Sequence, residues 1–344
     1  MMRIAIVNDL SLAREVLRRL VLSVPGNTVA WVAEDGDEAV TRAAADRPDV
    51  ILMDLIMPRL NGVEATRQIM RSSPCPILVV TATVSGNYDF VIQAMGAGAL
   101  DAVETPTFAS NGTILNGEKL LARLAKLGTA LGGVTRSWMA VPLHPPAPTP
   151  VTGLPPLVLI GASTGGPDAL NVVLRSLRPD FPGAIVIAQH IAAEFTPGLV
   201  LQLGMNCALP VRIAMDGERP VAGRVLVAAS NDHLELTHSC TLRYTSHPRN
   251  YPYRPSVDVL FSTAAACWPQ PGVGVLLTGM GTDGASGLGQ LRSLGWHTIA
   301  QDQATCVVYG MPKSAAELNA VTEVVPLGQI GQAIVGKIMS THHR

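Results

Sequence analysis

Charge is the first thing that this sequence has little of. Charged residues make up 15% of the 344 residues, hydrophobic residues make up 48%, and the formal net charge is −1. The chain contains no basic run, so it lacks the electrostatic footprint of a protein that binds nucleic acid or an anionic membrane surface. The composition favours well-buried sheets over disorder, and the length favours two domains.

Long hydrophobic runs, a leader segment and paired cysteines are missing as well. No apolar run is long enough to span a membrane, and the chain passes from Met-Met-Arg3 directly into a strand pattern without a signal peptide. The five scattered cysteines contain no Cys-x-x-Cys pair, so neither a zinc site nor a disulfide framework is expected. Together these absences predict a cytoplasmic protein with free thiols.

Residues 1–130 alternate between strand and helix patterns, which predicts a five-stranded, parallel, doubly wound sheet of the flavodoxin-like kind. Apolar runs predict strands at 3–7, 29–33, 50–53, 77–80 and 99–103. Helical spacing predicts helices at 12–22, 37–45, 63–70, 88–95 and 117–131. Residues 131–154 are rich in proline and poor in charge, so they are interpreted as a semi-rigid linker between two domains.

Residues 155–344 are predicted to form a second doubly wound α/β domain with a mostly parallel sheet. Strands are predicted at 157–161, 184–189, 211–215, 224–229, 233–237, 241–245, 273–278 and 296–301. Helices are predicted at 167–177, 196–204, 256–267, 284–294, 312–320 and 330–339. The segment 225–244 is interpreted as an antiparallel hairpin inserted into this sheet.

Three polar residues follow predicted strands of the first domain, namely Asp9, Asp54 and Thr81. In a doubly wound sheet the ligand crevice lies outside the carboxyl ends of the strands, so these side chains are expected to converge there. Two carboxylates could hold Mg²⁺, which would offset the charge of a phosphoryl group carried by one of them. Each residue taken singly has an alternative interpretation as a helix cap or turn residue.

The first domain resembles the receiver domain of response regulators. The resemblance is carried by Val7-Asn8-Asp9, Leu52-Met-Asp54-Leu-Ile-Met-Pro58-x-x-Asn61-Gly62 and Val79-Val-Thr81-Ala82. It implies that Asp54 accepts a phosphoryl group from a histidine kinase, that Asp9 and Asp54 bind Mg²⁺, and that Thr81 senses the phosphoryl group. Asn8 and Thr105 depart from the pattern, because receivers usually have an acid and a lysine there, and both changes should weaken Mg²⁺ and phosphoryl binding.

The second domain opens with a strand, a small-residue loop and a helix pattern, and the loop contains Gly161-x-Ser163-x-Gly165. This spacing matches a nucleophile elbow, in which small neighbours leave the serine oxygen uncovered and nearby amides point at a forming oxyanion. The alternative is a glycine-rich turn in which Ser163 only caps the following helix.

His190 and Asp283 also follow buried strands, so with Ser163 they would supply a base and an orienting carboxylate at one edge of the sheet. Their order along the chain differs from that of the α/β-hydrolases, so that family is not implied. A rival interpretation takes Gly279-x-Gly281-x-x-Gly284 as a dinucleotide fingerprint, with Asp302 on the ribose. It is disfavoured because Asp283 would place a carboxylate inside the loop that should hold pyrophosphate.

The second domain resembles the catalytic domain of chemotaxis protein-glutamate methylesterases of the CheB type. The matching segments are Ile160-Gly-Ala-Ser163-Thr-Gly-Gly166, Ala188-Gln-His190-Ile, Arg254-Pro-Ser-Val-Asp258-Val-Leu-Phe261, Leu276-Leu-Thr-Gly-Met280-Gly-x-Asp283-Gly284, Gln301-Asp302-x-x-Thr305 and Tyr309-Gly-Met-Pro312-Lys313. The resemblance implies that Ser163 attacks, His190 is the base and Asp283 orients it, with the amides of Thr164 and Met280 as the oxyanion hole.

The same resemblance implies the substrate and the cofactor requirement. The substrate would be a γ-glutamyl methyl ester on the cytoplasmic domain of a chemoreceptor, hydrolysed to methanol and glutamate, and receptor glutamines could be deamidated. No cofactor is expected in the esterase domain. Arg254, Ser256 and Asp258 could contact the receptor helix or could cap and brace the helix near Ser256.

Regulation follows from the resemblance too, since the receiver of such enzymes covers the esterase cleft until Asp54 is phosphorylated. An alternative function is a kinase-binding protein or phosphate sink with vestigial esterase activity. The residues around Asn8 and Thr105 are similar to those of CheB-like esterases in Wsp-type surface-sensing systems, whose kinase drives cyclic-di-GMP synthesis.

Overall fold

The computed structural model describes residues 2–82, 87–109, 113–131, 153–249, 251 and 253–342. The chain divides into two compact units, Met1–Ser137 and Trp138–Arg344. Nearly all of the predicted linker 131–154 lies outside the described residues. The linker and the predicted domain boundaries on either side of it therefore remain predictions.

The first unit is built on a parallel sheet of five strands, as predicted, and the strands lie in the order β2-β1-β3-β4-β5. These strands are β1 (Arg3–Val7), β2 (Thr28–Ala33), β3 (Val50–Met53), β4 (Ile77–Thr81) and β5 (Asp101–Glu104). A short antiparallel pair follows, β6 (Thr107–Phe108) and β7 (Ile114–Leu115). The helices are α1 (Ser11–Ser23), α2 (Gly36–Ala45), α3 (Gly62–Ser72), α4 (Tyr88–Ala97) and α5 (Gly117–Leu131).

Local sequence explains where helices of this unit begin. The Asp35 carboxylate accepts from the Glu38 amide at the start of α2 (2.9 Å), and the Asn61 side-chain oxygen accepts from the Glu64 amide at the start of α3 (3.0 Å). Both are helix caps that satisfy otherwise unpaired amides. The pair β6–β7 was not predicted, because a strand of two residues is too short to show an alternating pattern.

The second unit contains a seven-stranded parallel sheet in the order β10-β11-β9-β8-β14-β15-β16, and a separate two-stranded sheet of β12 and β13. The strands are β8 (Leu157–Ala162), β9 (Ala184–Gln189), β10 (Val211–Ile213), β11 (Arg224–Val227), β12 (His233–Leu236), β13 (Leu242–Thr245), β14 (Val273–Leu276), β15 (His297–Gln301) and β16 (Glu323–Val325). The helices are α6 (Gly166–Arg175), α7 (Thr196–Asn206), α8 (Val257–Cys267), α9 (Ala285–Ser293), α10 (Met311–Glu317) and α11 (Leu327–His342), with a 3₁₀ turn at Ala193–Phe195.

The predicted hairpin is present but shorter than the sequence pattern indicated. Within the segment 225–244, β12 and β13 pair antiparallel, whereas β11 lies between β9 and β10 and pairs with both in parallel. Val225, Leu226 and Val227 are all buried, as expected of a strand covered on both faces of a parallel sheet. The assignment of 225–227 to the hairpin was therefore wrong, while the mostly parallel α/β fold with an antiparallel hairpin is confirmed.

Each main sheet reverses its strand order at one point. In the first unit β1 lies beside β3, and in the second β8 lies beside β14, with the earlier strands of the unit on one side and the later ones on the other. Such switch points open a crevice at the carboxyl ends of the strands. Among the described residues no helix is both long and apolar enough to cross a membrane.

Candidate active site

Ser163 stands on the turn between β8 and α6, at the switch point of the larger sheet. Its amide donates to the carbonyl of Thr278 (3.0 Å), which extends the pairing of β8 with β14. Gly165 has φ +76°, and a Cβ there would lie 2.6 Å from Val307 Cβ, so only glycine fits this tight turn. Gly165 is also the N-cap of α6, and no side chain caps this helix. The interpretation of Ser163 as a helix cap was therefore wrong.

Strand pairing brings His190 beside the serine turn. Ala162, the last residue of β8, pairs with Gln189, the last residue of β9, and the His190 amide donates to the Ala162 carbonyl (2.9 Å). The buried Gln189 side chain then joins the two turns, because its Nε2 donates to the carbonyls of Ser163 (2.9 Å) and His190 (3.1 Å). The sequence analysis did not single out Gln189, although an amide immediately before a candidate base was a visible signal.

His190 and Asp283 meet directly. The distance between His190 Nε2 and Asp283 Oδ2 is 2.7 Å, and each side chain is 6% exposed. The other ring nitrogen, Nδ1 of His190, is buried and has no hydrogen-bond partner among the described residues. One ring nitrogen of His190, Nε2, is thus bound to a carboxylate, while the other, Nδ1, is left for another group.

The Asp283 carboxylate is held by the N-terminus of α8. Oδ1 accepts from Ser256 Oγ (2.8 Å) and from the Asp258 amide (3.0 Å), and Oδ2 accepts from the Val257 amide (2.7 Å). Burial alone would raise the pKa of Asp283, but the hydrogen bond and charge of His190, together with these amides, lower the pKa below its usual value. The carboxylate is therefore an anion with every lone pair directed at a donor.

Asp283 does not cap the helix that follows it. The N-cap of α9 is Gly284, and no side chain caps this helix. Instead Asp258, in the first turn of α8, accepts from the Gly287 amide (2.7 Å) in the first turn of α9. Burial, and secondly the charge of Asp283, raise the pKa of Asp258 to about 8.

The open question about Arg254, Ser256 and Asp258 is answered by their contacts. Ser256 is the N-cap of α8 and accepts from the Val259 amide (3.3 Å), so with Asp258 it braces the start of that helix. Arg254 donates to the carbonyl of Arg249 (3.2 Å). The bracing interpretation is confirmed for Ser256 and Asp258.

Two aromatic residues of the site were missed by the sequence analysis. The ring of Tyr253 stacks on the His190 ring with centroids 4.3 Å apart and planes at 11°. His233 is fully buried, its Nδ1 accepts from the Ser256 amide (3.2 Å) and its Nε2 donates to the Pro248 carbonyl (3.0 Å). Burial lowers the pKa of His233, in keeping with a neutral ring that accepts at one nitrogen.

The glycine-rich loop after β14 lies against the serine turn. A Cβ at Gly279 would lie 2.7 Å from the Cβ of Ser163, so only glycine lets the loop approach so closely. The Gly279 amide donates to the Val308 carbonyl (3.0 Å) and fixes the loop just before Met280. Asp302, the residue assigned to a ribose in the dinucleotide interpretation, accepts instead from the Thr305 amide (3.1 Å) in its own turn.

The phosphoacceptor candidate Asp54 lies at the switch point of the smaller sheet. It is 8% exposed, its Oδ1 accepts from the Leu55 amide (2.7 Å), and its Oδ2 accepts from Asn8 Nδ2 (2.8 Å). Burial raises the pKa of Asp54 to about 6, partly offset by backbone donors and reinforced by the charge of Asp9. The amide of Asn8 and the charge of Asp9 thus both act on the Asp54 carboxylate.

Thr81 and Thr105 lie side by side at the neighbouring strand ends. Thr81 is buried, its hydroxyl accepts from Asn87 Nδ2 (2.9 Å), and its carbonyl accepts from the Thr105 amide (2.9 Å). Asp9 is exposed, and the N-cap of α1 is Leu10 without a side-chain cap, so the helix-cap interpretation of Asp9 was wrong.

Each of the two units matches the model of a known protein family. The model of the family described as CheB methylesterase matches residues 158–334, and that of the response regulator receiver domain matches residues 4–111. The chain belongs to the CheB methylesterase family. A CheB methylesterase is a hydrolase, so the predicted enzyme class is confirmed and the dinucleotide interpretation is wrong.

Curated relatives of this CheB-type chain extend over its whole length. It is 52% identical over 341 residues to protein-glutamate methylesterase/protein-glutamine glutaminase 3 of Burkholderia orbicola, and 99% of each chain is covered. It is 50% identical to protein-glutamate methylesterase/protein-glutamine glutaminase 1 of Bordetella avium, with 96% of this chain and 95% of the relative covered. The crystal structure of the Thermotoga maritima CheB methylesterase catalytic domain matches with a TM-score of 0.51 and 34% identity, covering 53% of this chain and 98% of that one.

Proposed function

We propose that this CheB-type chain hydrolyses γ-glutamyl methyl esters on the cytoplasmic domain of chemoreceptors and deamidates receptor glutamines, using Ser163, His190 and Asp283. The observation that carries the proposal is the buried contact between His190 and Asp283, beside a serine held in a glycine-rich turn. The names of the curated relatives support the substrate class. Because that substrate domain is cytoplasmic, the enzyme would act in the cytoplasm.

In the acylation step, Ser163 Oγ attacks the ester carbonyl carbon while His190 Nδ1 takes the hydroxyl proton. Asp283 keeps its bond to Nε2 and stabilises the imidazolium that forms. His190 then gives the proton to the departing methoxide, which leaves as methanol and leaves the glutamyl group on Ser163. A water molecule attacks this acyl-enzyme with the same base, releasing glutamate and free serine. With a glutamine substrate the leaving group is ammonia.

The tetrahedral intermediate needs donors for its oxyanion, and the amides of Thr164 and Met280 are the proposed pair. The Ser163 carbonyl, in the same peptide unit as the Thr164 amide, accepts from Gln189 Nε2 (2.9 Å), and the Thr164 carbonyl accepts from the Thr278 hydroxyl (2.9 Å), so the peptides on both sides of Thr164 are fixed. The close approach of Gly279 to Ser163 supports a position for the Met280 amide beside the same turn.

The receiver unit would control this activity through phosphorylation of Asp54 by a histidine kinase. Mg²⁺ commonly uses one or two carboxylates and completes its shell with water and phosphate oxygens. Asp9 and Asp54 fit that need, since the charge of Asp9 already acts on Asp54, although the described residues contain no cluster of three acidic, histidine or cysteine ligands. Bound Mg²⁺ would offset the charge of the phosphoryl group, which Thr81 would contact through its hydroxyl.

A second candidate function is a kinase-binding protein or phosphate sink with vestigial esterase activity. The set of donors around Asp283 favours an active esterase instead. A site that had lost its activity would not need to keep a buried carboxylate hydrogen-bonded to a histidine. The relation to Wsp-type systems, drawn from Asn8 and Thr105, stays a prediction.

The test is to incubate the full chain with methyl-labelled receptor and to measure released methanol. We expect Ser163→Ala to abolish release whatever the phosphorylation state, and Asp54→Ala to abolish only the response to a phosphoryl donor. If Ser163→Ala releases methanol at the wild-type rate, the proposed esterase mechanism is wrong. If only Asp54→Ala disturbs signalling and no methanol is released by wild type, the phosphate-sink function is favoured.

A further inference from the structure

Tyr253 covers one face of the candidate base. Its ring lies parallel to the His190 ring, 4.3 Å away between centroids and inclined by 11°. Burial, and secondly the charge of Asp283, raise the pKa of Tyr253, so the phenol stays neutral. A flat neutral ring at this distance occupies the volume through which the imidazole would sweep if it turned about its Cβ–Cγ bond. The stack therefore restrains a torsion that is otherwise soft for histidine.

That torsion decides which ring nitrogen meets which partner. With the observed orientation, Nε2 of His190 contacts Asp283 and Nδ1 has no partner among the described residues. Rotation of the ring would take Nε2 away from Asp283 and would leave Oδ2 of this buried carboxylate without its hydrogen bond to His190. The proposed mechanism needs the observed arrangement, since the base must be free at one nitrogen and oriented at the other.

Tyr253 also reaches the loop that carries Met280. A Cβ placed on Gly281 would lie 3.8 Å from the Tyr253 hydroxyl oxygen and 4.0 Å from Cε2. Gly281 has φ +86°, a conformation that favours glycine, so the loop approaches the tyrosine at a residue without a side chain. The ring thus spans from the base to the loop between Met280 and Asp283.

The same short segment holds the orienting carboxylate. Ser256, three residues after Tyr253, is the N-cap of α8. Its hydroxyl and the amides of Val257 and Asp258 donate to the Asp283 carboxylate. We propose that Tyr253 is a positioning residue for His190: its stacked ring holds the imidazole with Nε2 on Asp283 and Nδ1 available to Ser163. This inference rests on the proposed function, because it concerns the base of that reaction.

The test compares a variant that keeps the flat ring with variants that remove it, in the full-length chain. Tyr253→Phe retains the stack and lacks the hydroxyl, whereas Tyr253→Leu and Tyr253→Met fill similar volume without a flat face. A misplaced reacting group can cost about 100-fold in rate, so we expect kcat to fall about 10- to 100-fold in the Leu and Met variants. We expect KM to change less than about twofold and Tyr253→Phe to stay within about threefold of wild type, because the substrate is not the group that has moved.

Two substrates and one covalent probe make the readout specific. Reaction rates with methyl-labelled receptor and with p-nitrophenyl acetate give kcat and KM. The rate at which a fluorophosphonate probe labels Ser163 measures how reactive its hydroxyl is. The probe rate should fall in parallel with kcat, because both depend on the same base. Tyr251→Leu is the matched control, since Tyr251 lies in the same segment and meets His233 edge-on at 5.8 Å rather than His190.

Each outcome bears on the inference. Loss of kcat in Tyr253→Leu or Tyr253→Met, with rescue in Tyr253→Phe and little effect of Tyr251→Leu, supports it. Wild-type kcat and labelling rate in a folded Leu or Met variant overturn it, as does an equal loss in Tyr253→Phe, which would assign the role to the hydroxyl. If wild type itself neither releases methanol nor reacts with the probe, the proposed function fails rather than the role of Tyr253. Thermal melts identify a variant that does not fold, and the other non-aromatic variant then decides.

Discussion

At the scale of single residues, Asn8 changes the chemistry of the receiver site most. It stands where receiver domains usually have an acid, and its amide donates to Asp54 Oδ2 over 2.8 Å. A carboxylate in its place could not donate and would add a negative charge beside Asp9 and Asp54. The amide therefore stabilises the metal-free site and leaves less charge to attract a cation.

We expect Asn8→Asp to raise the affinity of the receiver for Mg²⁺ by at least about tenfold, because one more anion faces a divalent cation. Calorimetric titration of the full chain with Mg²⁺ measures this change. Asn8→Ala is the control, since it removes the hydrogen bond to Asp54 without adding charge. Equal affinities for Asn8→Asp and Asn8→Ala would show that charge at this position does not govern binding.

In the esterase unit, Asp283 is the buried carboxylate that contacts the proposed base, His190. In Asp283→Asn the side chain loses its charge, and its NH₂ group must face one of the donors from Ser256, Val257 or His190. We expect kcat for methanol release to fall about 10³- to 10⁴-fold, as when the orienting acid of a triad becomes an amide.

The control for that prediction is Asp302→Asn, because Asp302 follows a neighbouring strand but is tied to Thr305 in its own turn. Its kcat should stay within about threefold of wild type. A loss of less than about tenfold in Asp283→Asn would mean that His190 is not oriented by this carboxylate.

At the scale of elements, α8 and α9 hold each other by their first turns. Asp283, just before α9, accepts from the amides of Val257 and Asp258 at the start of α8. Asp258 in turn accepts from the Gly287 amide at the start of α9. Each acidic side chain thus accepts from amides at the N-terminus of the other helix, where the first amides have no partner within their own helix.

We expect Asp258→Ala to lower the free energy of unfolding by about 3 kcal/mol, because it leaves buried amides of α9 without an acceptor. Asp258→Asn keeps one acceptor oxygen and should cost less. Urea unfolding followed by circular dichroism measures both changes. A loss below about 1 kcal/mol in Asp258→Ala would contradict the role given to this contact.

Protonation of His233, which binds the amide at the start of α8, makes the stability of the folded chain depend on pH. Its Nδ1 accepts from the Ser256 amide, and burial holds its pKa below the ordinary value of 6.5, so the folded chain keeps it neutral. As the pH falls below about 6.5, the unfolded chain binds a proton at this histidine while the folded chain does not. The stabilisation is therefore complete above that pH and is lost progressively as the pH falls towards the lower folded pKa.

We expect the free energy of unfolding of the wild type to fall more steeply between pH 7 and 5 than that of His233→Gln, which has no titrating group at this position. Urea unfolding at a series of pH values measures both slopes. Parallel slopes would show that His233 does not couple folding to protonation.

At the scale of the whole molecule, the sequence predicted what strand ends bring together and missed what side chains do across elements. Ser163, His190 and Asp283 could be assigned because parallel strands end at one edge of a sheet. Tyr253 could not, because its role depends on a ring stack between separate segments. Gln189 stands next to His190 in the sequence, but its hydrogen bonds between neighbouring turns became evident only in the fold. The hairpin was overextended because a strand buried on both faces has the same apolar pattern whether its partner runs parallel or antiparallel.

The two units also differ in what each needs from the rest of the chain. Among the described residues, one hydrophobic cluster consists of buried side chains between Leu157 and Ala320, and another consists of buried side chains between Ile4 and Leu124. The hydrogen bonds and the ring stack described around His190 and Asp283 come from residues after Leu157. The proposed esterase mechanism uses no described residue of the receiver, so the receiver would act on the rate as a restraint or as an aid.

We therefore expect a chain of residues 153–344 to fold alone and to release methanol from methylated receptor with a higher kcat/KM than the unphosphorylated full chain. The physical reason is that the shortened chain keeps the seven-stranded sheet, its hydrophobic core and the donors that bind Asp283. It lacks the receiver unit, which is proposed to restrain the esterase. Adding a phosphoryl donor should raise the rate of the full chain and leave that of the shortened chain unchanged. Ser163→Ala in the shortened chain controls for contaminating esterases. Equal kcat/KM for both unphosphorylated chains would exclude restraint by the receiver, and phosphorylation would then have to act by aiding the esterase.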